Sequence, residues 1–404
     1  MKISKKTLAL LVMQTAFLSC QAQGLAEAYR DYWRTGISVN QWEVEAGSVH
    51  RGESGITGGS VLDQTAHFPV IVDNFKWLVA ENCMKMEVVH PSEYVYDFTN
   101  ADKFVDKAMA SGASVIGHCL IWHSQCPRWF FYDNEGKKVT PEVLRKRMKE
   151  HIFTVVNHFK GRVKAWDVVN EAFEDNGSLR KSMFYEILGE DFIPLAFQYA
   201  HEADPSMELY YNDYSMNKEE KVRGIINFFK PLMAKGLTVT AIGLQGHLIL
   251  GDDDYVSQYA KSIDLIKSEL GLPSQFTELD LSVLPNPFGF SGANISDNFK
   301  YSEKMDPYKK GLPEDVQKKA DDFWISFYKM LMERKENILR VGYWCFNDQN
   351  SWRNDFPMHG RTDYATLFNR DNTPKPTIGK LIELVQPKCC KDIDKNKKNN
   401  KKKK

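Results

Sequence analysis

Eight short runs of apolar, β-prone residues recur along the chain at fairly even spacing, near residues 37–40, 77–84, 114–120, 165–170, 208–211, 241–245, 275–281 and 340–346. The stretches between them carry helical signals. Thr140 stands as an N-cap ahead of Pro141 at the first helical position, and Phe323, Phe327 and Leu331 recur at every fourth place within 314–335. Strand and helix alternating eight times predict α/β architecture as a single closed (β/α)8 TIM barrel, whose functional groups collect at the carboxyl ends of the strands. A doubly wound open sheet is the competing arrangement, but it does not ask for functional-looking residues at nearly every strand end, as found here.

Two of the runs stop at acids: Ala165-Trp166-Asp167-Val168-Val169-Asn170-Glu171 and Phe276-Thr277-Glu278-Leu279-Asp280-Leu281. A lone glutamate after a strand is ordinarily a solvated loop residue or a helix cap. Two such endings, with tryptophans and histidines ending other strands, instead suggest a carboxylate pair, because an ionisable group at the mouth of a buried strand is costly unless something uses it. Hydrolysis of a glycosidic bond needs such a pair: a proton donor on the leaving oxygen and a carboxylate on the opposite face of the sugar. On a barrel, Glu171 at the end of the fourth strand and Glu278 on the seventh face each other across the mouth, and a retaining mechanism requires a separation of ~5–5.5 Å. Asp280 lies two residues after Glu278 and therefore leaves the same face of the strand. His247, after Leu244-Gln245-Gly246 on the sixth strand, is positioned to bridge the two acids.

Charge and cysteine usage narrow the class. The net charge of the 404 residues is zero, but the tail from Lys388 to Lys404 carries a strong positive excess, leaving about −10 on residues 7–387. That balance argues against a nucleic-acid-binding surface on the fold. Residues 388–404 are expected to be a disordered Lys/Asn-rich tail. Residues 1–23 read as an export signal: lysines, an apolar stretch from Leu8 to Leu18, then Ser19, Cys20 and Ala22. Two outcomes stay open, a lipoprotein with an acylated Cys20 or simple secretion with cleavage near Ala22. Both put the protein outside the cytoplasm, whether secreted, periplasmic or lipid-anchored at the surface, and a lipid on Cys20 is the one membrane attachment implied. Seven irregularly spaced cysteines make no disulfide framework. Neither a Cys-x-x-Cys nor a His-Glu-x-x-His pattern occurs, so no metal and no cofactor is expected. No internal repeat or protein partner is implied, and residues 24–387 read as one catalytic domain.

The strand-end motifs also carry a resemblance. Trp166-Asp167-Val168-Val169-Asn170-Glu171, Gly243-Leu244-Gln245-Gly246-His247, Thr277-Glu278-Leu279-Asp280 and Gly117-His118-Cys119-Leu120-Ile121-Trp122-His123-Ser124-Gln125 resemble glycoside hydrolase family 10, the retaining endo-β-1,4-xylanases, in order from about Gly36 to Lys380. The resemblance implies Glu171 as acid/base and Glu278 as nucleophile, supported by His247 and Asp280. It implies that Asn170 bonds the 2-hydroxyl of the sugar being cleaved, with His118, Gln125 and His247 completing that subsite. Glu81, Asn82 and Lys85 match the residues that grip the next xylose, and Trp344 and Trp352 match an aromatic lid. Trp122, Gln245 and Tyr214 fall in the same binding motifs, and Asp167, deeper on its strand, reads as structural. Xylan and xylo-oligosaccharides are the implied partners. Departures fall at Met86, where the family commonly has Trp, at Cys119 for Thr, and at Cys345 for the Gly after Trp344. A β-1,4-glucanase and a silent glycan-binding protein are the competing functions; the first differs in accommodating a hydroxymethyl group near Trp352, the second in needing no carboxylate pair.

Overall fold

All eight expected strands form, with displaced ends. The computed structural model describes residues 24–40, 67–251, 254–287, 290, 293–295 and 297–385. The export signal with Cys20, the Gly289 and Gly292 positions, Cys389, Cys390 and the lysine-rich tail lie outside the described residues. The strands are β1 (Arg34–Val39), β2 (Trp77–Ala80), β3 (Ser114–Trp122), β4 (Val163–Asn170), β5 (Glu208–Asp213), β6 (Ala241–Leu244), β7 (His247–Ile249), β8 (Ser274–Ser282) and β9 (Ile338–Tyr343). All pairings are parallel. β6 pairs with β8, and β9 returns to β1, so the sheet closes into a barrel.

The strand expected over 241–245 ends at Leu244 and resumes at His247, because β6 and β7 are halves of one barrel strand that both run alongside β8. The break falls at Gln245-Gly246. Gly246 has φ +77°, and a Cβ there would stand 2.7 Å from the Leu279 side chain, so only glycine fits the turn. Two other runs end earlier than expected. β2 stops at Ala80, releasing residues 81–85 as a turn before the short helix Met86–Val89, and β9 stops at Tyr343, leaving Trp344 and Cys345 beyond it.

The helices cover the barrel as the periodicity requires. Pro141–His158 starts where Thr140 caps it, its side chain accepting from the Val143 N–H at 3.4 Å, and Glu314–Glu333 buries Phe327 and Leu331. Strands buried on both faces explain the nearly unbroken apolar runs. One large core lies between strands and helices, while Val79, Ile116, Ala165, Tyr210 and Ala241 pack inside the barrel beneath Trp344 and Cys345. Lower in the barrel, Arg34 and Glu208 form a two-point ion pair (2.6 and 2.9 Å) with the guanidinium over Trp77. In the irregular segment after β8, Phe290 packs against Phe356, and Phe356 stacks on Trp352, so the described part of the segment props up the loop after β9.

Candidate active site

The strand ladders set the level of the site. Asn170 pairs with both Trp122 and Asn212 across neighbouring strands, and past the last strand residues the Glu171 N–H donates to the Asn212 carbonyl at 2.9 Å. The Gln245 N–H then donates to the Asp213 carbonyl and the Glu278 N–H to the Gln245 carbonyl, each at 2.9 Å. Glu171, Asn212, Gln245 and Glu278 are therefore laid round one rim by backbone hydrogen bonds alone. Gln125, Glu171, Ser215 and Cys345 are four of the five described non-glycine residues with positive φ, and all four follow barrel strands at this end. Such conformations cost free energy and gather where a site demands them. The φ of +63° at Cys345 suits the glycine that commonly fills this place, and its N–H donates to Ser38 Oγ at 2.8 Å.

Both glutamates are 5% exposed, yet their surroundings are opposite. Glu171 accepts only from neutral donors: the Trp122 indole N–H at 2.8 Å on one oxygen and the Gln245 amide at 2.8 Å on the other. Burial, and after it the negative charges of Asp213 and Glu278, raise its pKa despite those bonds. Glu278 accepts from the Asn212 amide at 2.8 Å on one oxygen and faces His247 Nε2 at 3.2 Å on the other. Burial alone would raise its pKa as well, but the hydrogen bond and charge of His247 outweigh it and hold the carboxyl below its ordinary range. The site thus holds one carboxyl poised to keep a proton and one poised to lose it.

Behind Glu278 the charges alternate. His247 Nδ1 meets Asp280 Oδ2 at 2.9 Å, so the imidazole is bracketed by carboxylates, which raises its pKa although burial works against this. Asp280 Oδ1 accepts from Arg353 Nε and Nη2 at 3.1 and 2.8 Å. Burial opposes ionisation of Asp280, but Arg353 and then His247 bring its pKa down to about 2. Asp280 Oδ2 also accepts the Trp352 indole N–H at 2.7 Å, tying the lid tryptophan to the same chain.

The remaining expected residues form two groups. Lys85 donates to Asn82 (3.0 Å) and to Gln125 (2.7 Å), and Gln125 donates on to Glu87 at 3.0 Å. Gln125 is therefore bonded to the residues expected to grip the next sugar. Glu81 borders this group, and burial pushes its carboxyl up to about 7 against the pull of Lys85. In the second group His118 Nδ1 is 2.9 Å from Asp167 Oδ2, and the His118 ring sits edge-on to Trp344 at 5.4 Å. Asp167 supports His118 from below. Tyr214 is buried with its hydroxyl accepting from Arg180 at 2.5 Å.

Reading the sequence places Asn212 only within the strand-five end Tyr211-Asn212-Asp213-Tyr214 that borders the site, with no role of its own, and gives Arg353 none. Asn212 donates to both Asn170 Oδ1 (2.9 Å) and Glu278, and accepts the Thr277 hydroxyl at 2.7 Å. Its position immediately after the expected strand 208–211, ahead of two further polar residues, was the available signal. Arg353 had none beyond adjacency to Trp352. Among the described residues no group of His, Cys, Asp or Glu is arranged to hold a metal ion, and no helix is long and apolar enough to cross a membrane.

Comparison with known proteins agrees with this geometry. The model of glycosyl hydrolase family 10 matches residues 48–384. The chain is 40% identical over 388 residues to endo-1,4-beta-xylanase A of Xylanibacter ruminicola, covering 95% of this chain and 100% of that one. A GH10 endoxylanase from a sugarcane soil metagenome superposes with a TM-score of 0.83 at 35% identity, over 89% of this chain and 100% of its own. The intracellular xylanase of Thermoanaerobacterium saccharolyticum, solved as a mutant with xylotetraose, gives a TM-score of 0.73 at 30% identity, over 89% and 98% respectively.

Proposed function

The chain belongs to glycosyl hydrolase family 10, and on that footing we propose that Glu171 is the proton donor and Glu278 the nucleophile of its reaction. The protein is an endo-β-1,4-xylanase that hydrolyses internal bonds of xylan by double displacement, with retention at the anomeric carbon. One observation carries the assignment of roles: of two equally buried glutamates, the one bonded by neutral groups has its pKa raised and the one bonded to His247 has its pKa lowered.

The steps follow from those states. Glu278 attacks the anomeric carbon as Glu171 protonates the departing oxygen. Glu171 is left ionised by that transfer; the negative charge of Glu278 is consumed in the glycosyl ester, so Glu171 stays ionised without that repulsion and takes a proton from the attacking water. Asn212 occupies Asn170 Oδ1, so Asn170 offers its amide N–H groups to the 2-hydroxyl of the bound sugar. Lys85, Asn82 and Glu81 supply hydrogen-bonding groups for the next xylose, and the indoles of Trp344 and Trp352 supply apolar faces for sugar C–H surfaces. Incubation with unsubstituted xylan is expected to release new reducing ends as short oligosaccharides whose first-formed anomer, read by proton NMR, is β. An α anomer would overturn the double displacement, and equal rates on cellulose would overturn the preference for xylan.

A pH effect follows from the charge chain. Asp280→Asn removes the main partner that keeps His247 protonated, so the His247 pKa falls and Glu278 loses its cation. The Glu278 pKa then rises, and the acid limb of the kcat/KM profile on xylan moves up by about one pH unit or more. A limb that stays in place would remove the chain from the mechanism.

Export is proposed on the charged, apolar and small-residue order of residues 1–23. The reading rests on residues 1–23 of this chain alone, since one solved relative is an intracellular xylanase. Labelling with a radioactive fatty acid, set beside a Cys20→Ala control, separates an acylated Cys20 from cleavage near Ala22.

A further inference from the structure

Three consecutive backbone amides in the turn that carries Glu171 are each held by β5. The Glu171 N–H donates to the Asn212 carbonyl at 2.9 Å, the Ala172 N–H to the Tyr211 hydroxyl at 3.0 Å, and the Phe173 N–H to Asp213 Oδ2 at 3.3 Å. The Tyr211 hydroxyl in turn donates to the same Asp213 oxygen. Asp213 Oδ1 accepts the Tyr214 N–H at 2.9 Å and lies 2.7 Å from the Lys221 ammonium, with both charged side chains 0% exposed. Arg180 holds the turn from the other side, donating from Nε to the Glu171 carbonyl at 2.9 Å.

An ion pair removed this completely from water is expensive, and it contributes little net stability compared with apolar residues of similar size. Its placement gives it another use. Glu171 sits at φ +59°, a conformation that a residue with a side chain keeps only when its surroundings over-determine it. Asp213 reaches both the backbone of that turn, directly and through Tyr211, and the field felt by the Glu171 carboxyl. We propose that Asp213, braced by Tyr211 and Lys221, is a positioning residue that holds Glu171 in its proton-donating conformation and supplies the negative charge that keeps the proton on it. This rests on the reading of Glu171 as acid/base.

The charged and titratable groups round the Glu171 turn are consistent with that role. From β5 come Asp213, Tyr211 and Tyr214; from the helix Glu219–Ala234 comes Lys221; from β8 comes Glu278. After Glu171 itself come Arg180, Glu174 and Asp175, with Arg180 3.4 Å from Glu174 and Asp175 3.6 Å from Lys221. His123, next to Trp122, is kept neutral by burial and by the charges of Arg180 and Lys221. Asp213 and the nucleophile Glu278 are the negative charges that act on the Glu171 carboxyl.

The test compares kcat/KM on xylan, whose leaving group needs a proton, with kcat/KM on 2,4-dinitrophenyl β-xylobioside, whose leaving group does not. Asp213→Asn is expected to lose about 10-fold or more on xylan and less than about 3-fold on the aryl glycoside, with the basic limb of the xylan profile moving down by about one pH unit. Tyr211→Phe is expected to show the same split at smaller size, and it carries the test should Asp213→Asn fail to fold. Glu171→Gln serves as the reference. If it shows the leaving-group split while the Asp213 and Tyr211 variants lose equally on both substrates with an unmoved limb, the positioning role is overturned and the acid/base reading stands. If Glu171→Gln shows no split either, both fall.

Discussion

Glu278→Gly is expected to lower turnover of xylan by about 10^4-fold or more, the scale on which loss of a covalent nucleophile acts, and azide is expected to restore turnover of 2,4-dinitrophenyl β-xylobioside. The deleted carboxylate leaves a hole whose field is still built for an anion: the Asn212 amide and the His247 ring that faced it at 2.8 and 3.2 Å remain. Azide in that hole attacks the anomeric carbon from the α face in a single displacement, so the product is the α-xylobiosyl azide. The variant leaves neither buried cation without a carboxylate, because Asp280 still takes both His247 and Arg353. Circular dichroism and thermal unfolding are therefore expected to report a folded protein. Undiminished xylan hydrolysis, or a β-azide from this variant, would remove Glu278 from the nucleophile's place.

The same region shows what the sequence carries and where it stops. Barrel strands were legible because burial on both faces makes each a short apolar run. Their carboxyl ends were less legible, since there the ladder continues through polar residues: β5 runs on through Asn212 to Asp213, although neither reads as a strand residue. The pairing of His247 with Glu278 and Asp280 was legible from side-chain parity on β8, because alternation on a strand is a rigid rule. The bonds of Trp352 and Arg353 to Asp280 span 72 and 73 residues and come from an irregular loop, where no period relates one side chain to another. Gln125 shows the same limit. Its φ of +45° turns it towards Lys85 and Glu87, and a local backbone conformation of that kind is not written in a strand-like run of residues. The Asp213–Lys221 pair was hidden for another reason: each charged residue alone reads as solvated, and only the packing of the helix Glu219–Ala234 against β5 buries them together.

Glu171→Ala is the second large effect, and its stereochemistry is the mirror of the first. With Glu278 intact, an activated aryl glycoside still forms the glycosyl ester, because a good leaving group departs without a proton. Xylan does not, so kcat/KM on xylan is expected to fall by about 10^3-fold while the aryl substrate falls far less. The ester then persists, since the base that activates water is gone. Pre-steady-state release of dinitrophenol is expected as a burst followed by slow turnover. Azide needs no base and fits the space vacated by the carboxyl that Trp122 and Gln245 had bonded. It attacks the ester from the β face, and the product is β-xylobiosyl azide. One anion giving opposite anomers from two single-residue variants requires that positions 171 and 278 lie on opposite faces of the same anomeric carbon. Two variants yielding the same anomer would show that the two carboxyls do not flank one bond, however alike their burial.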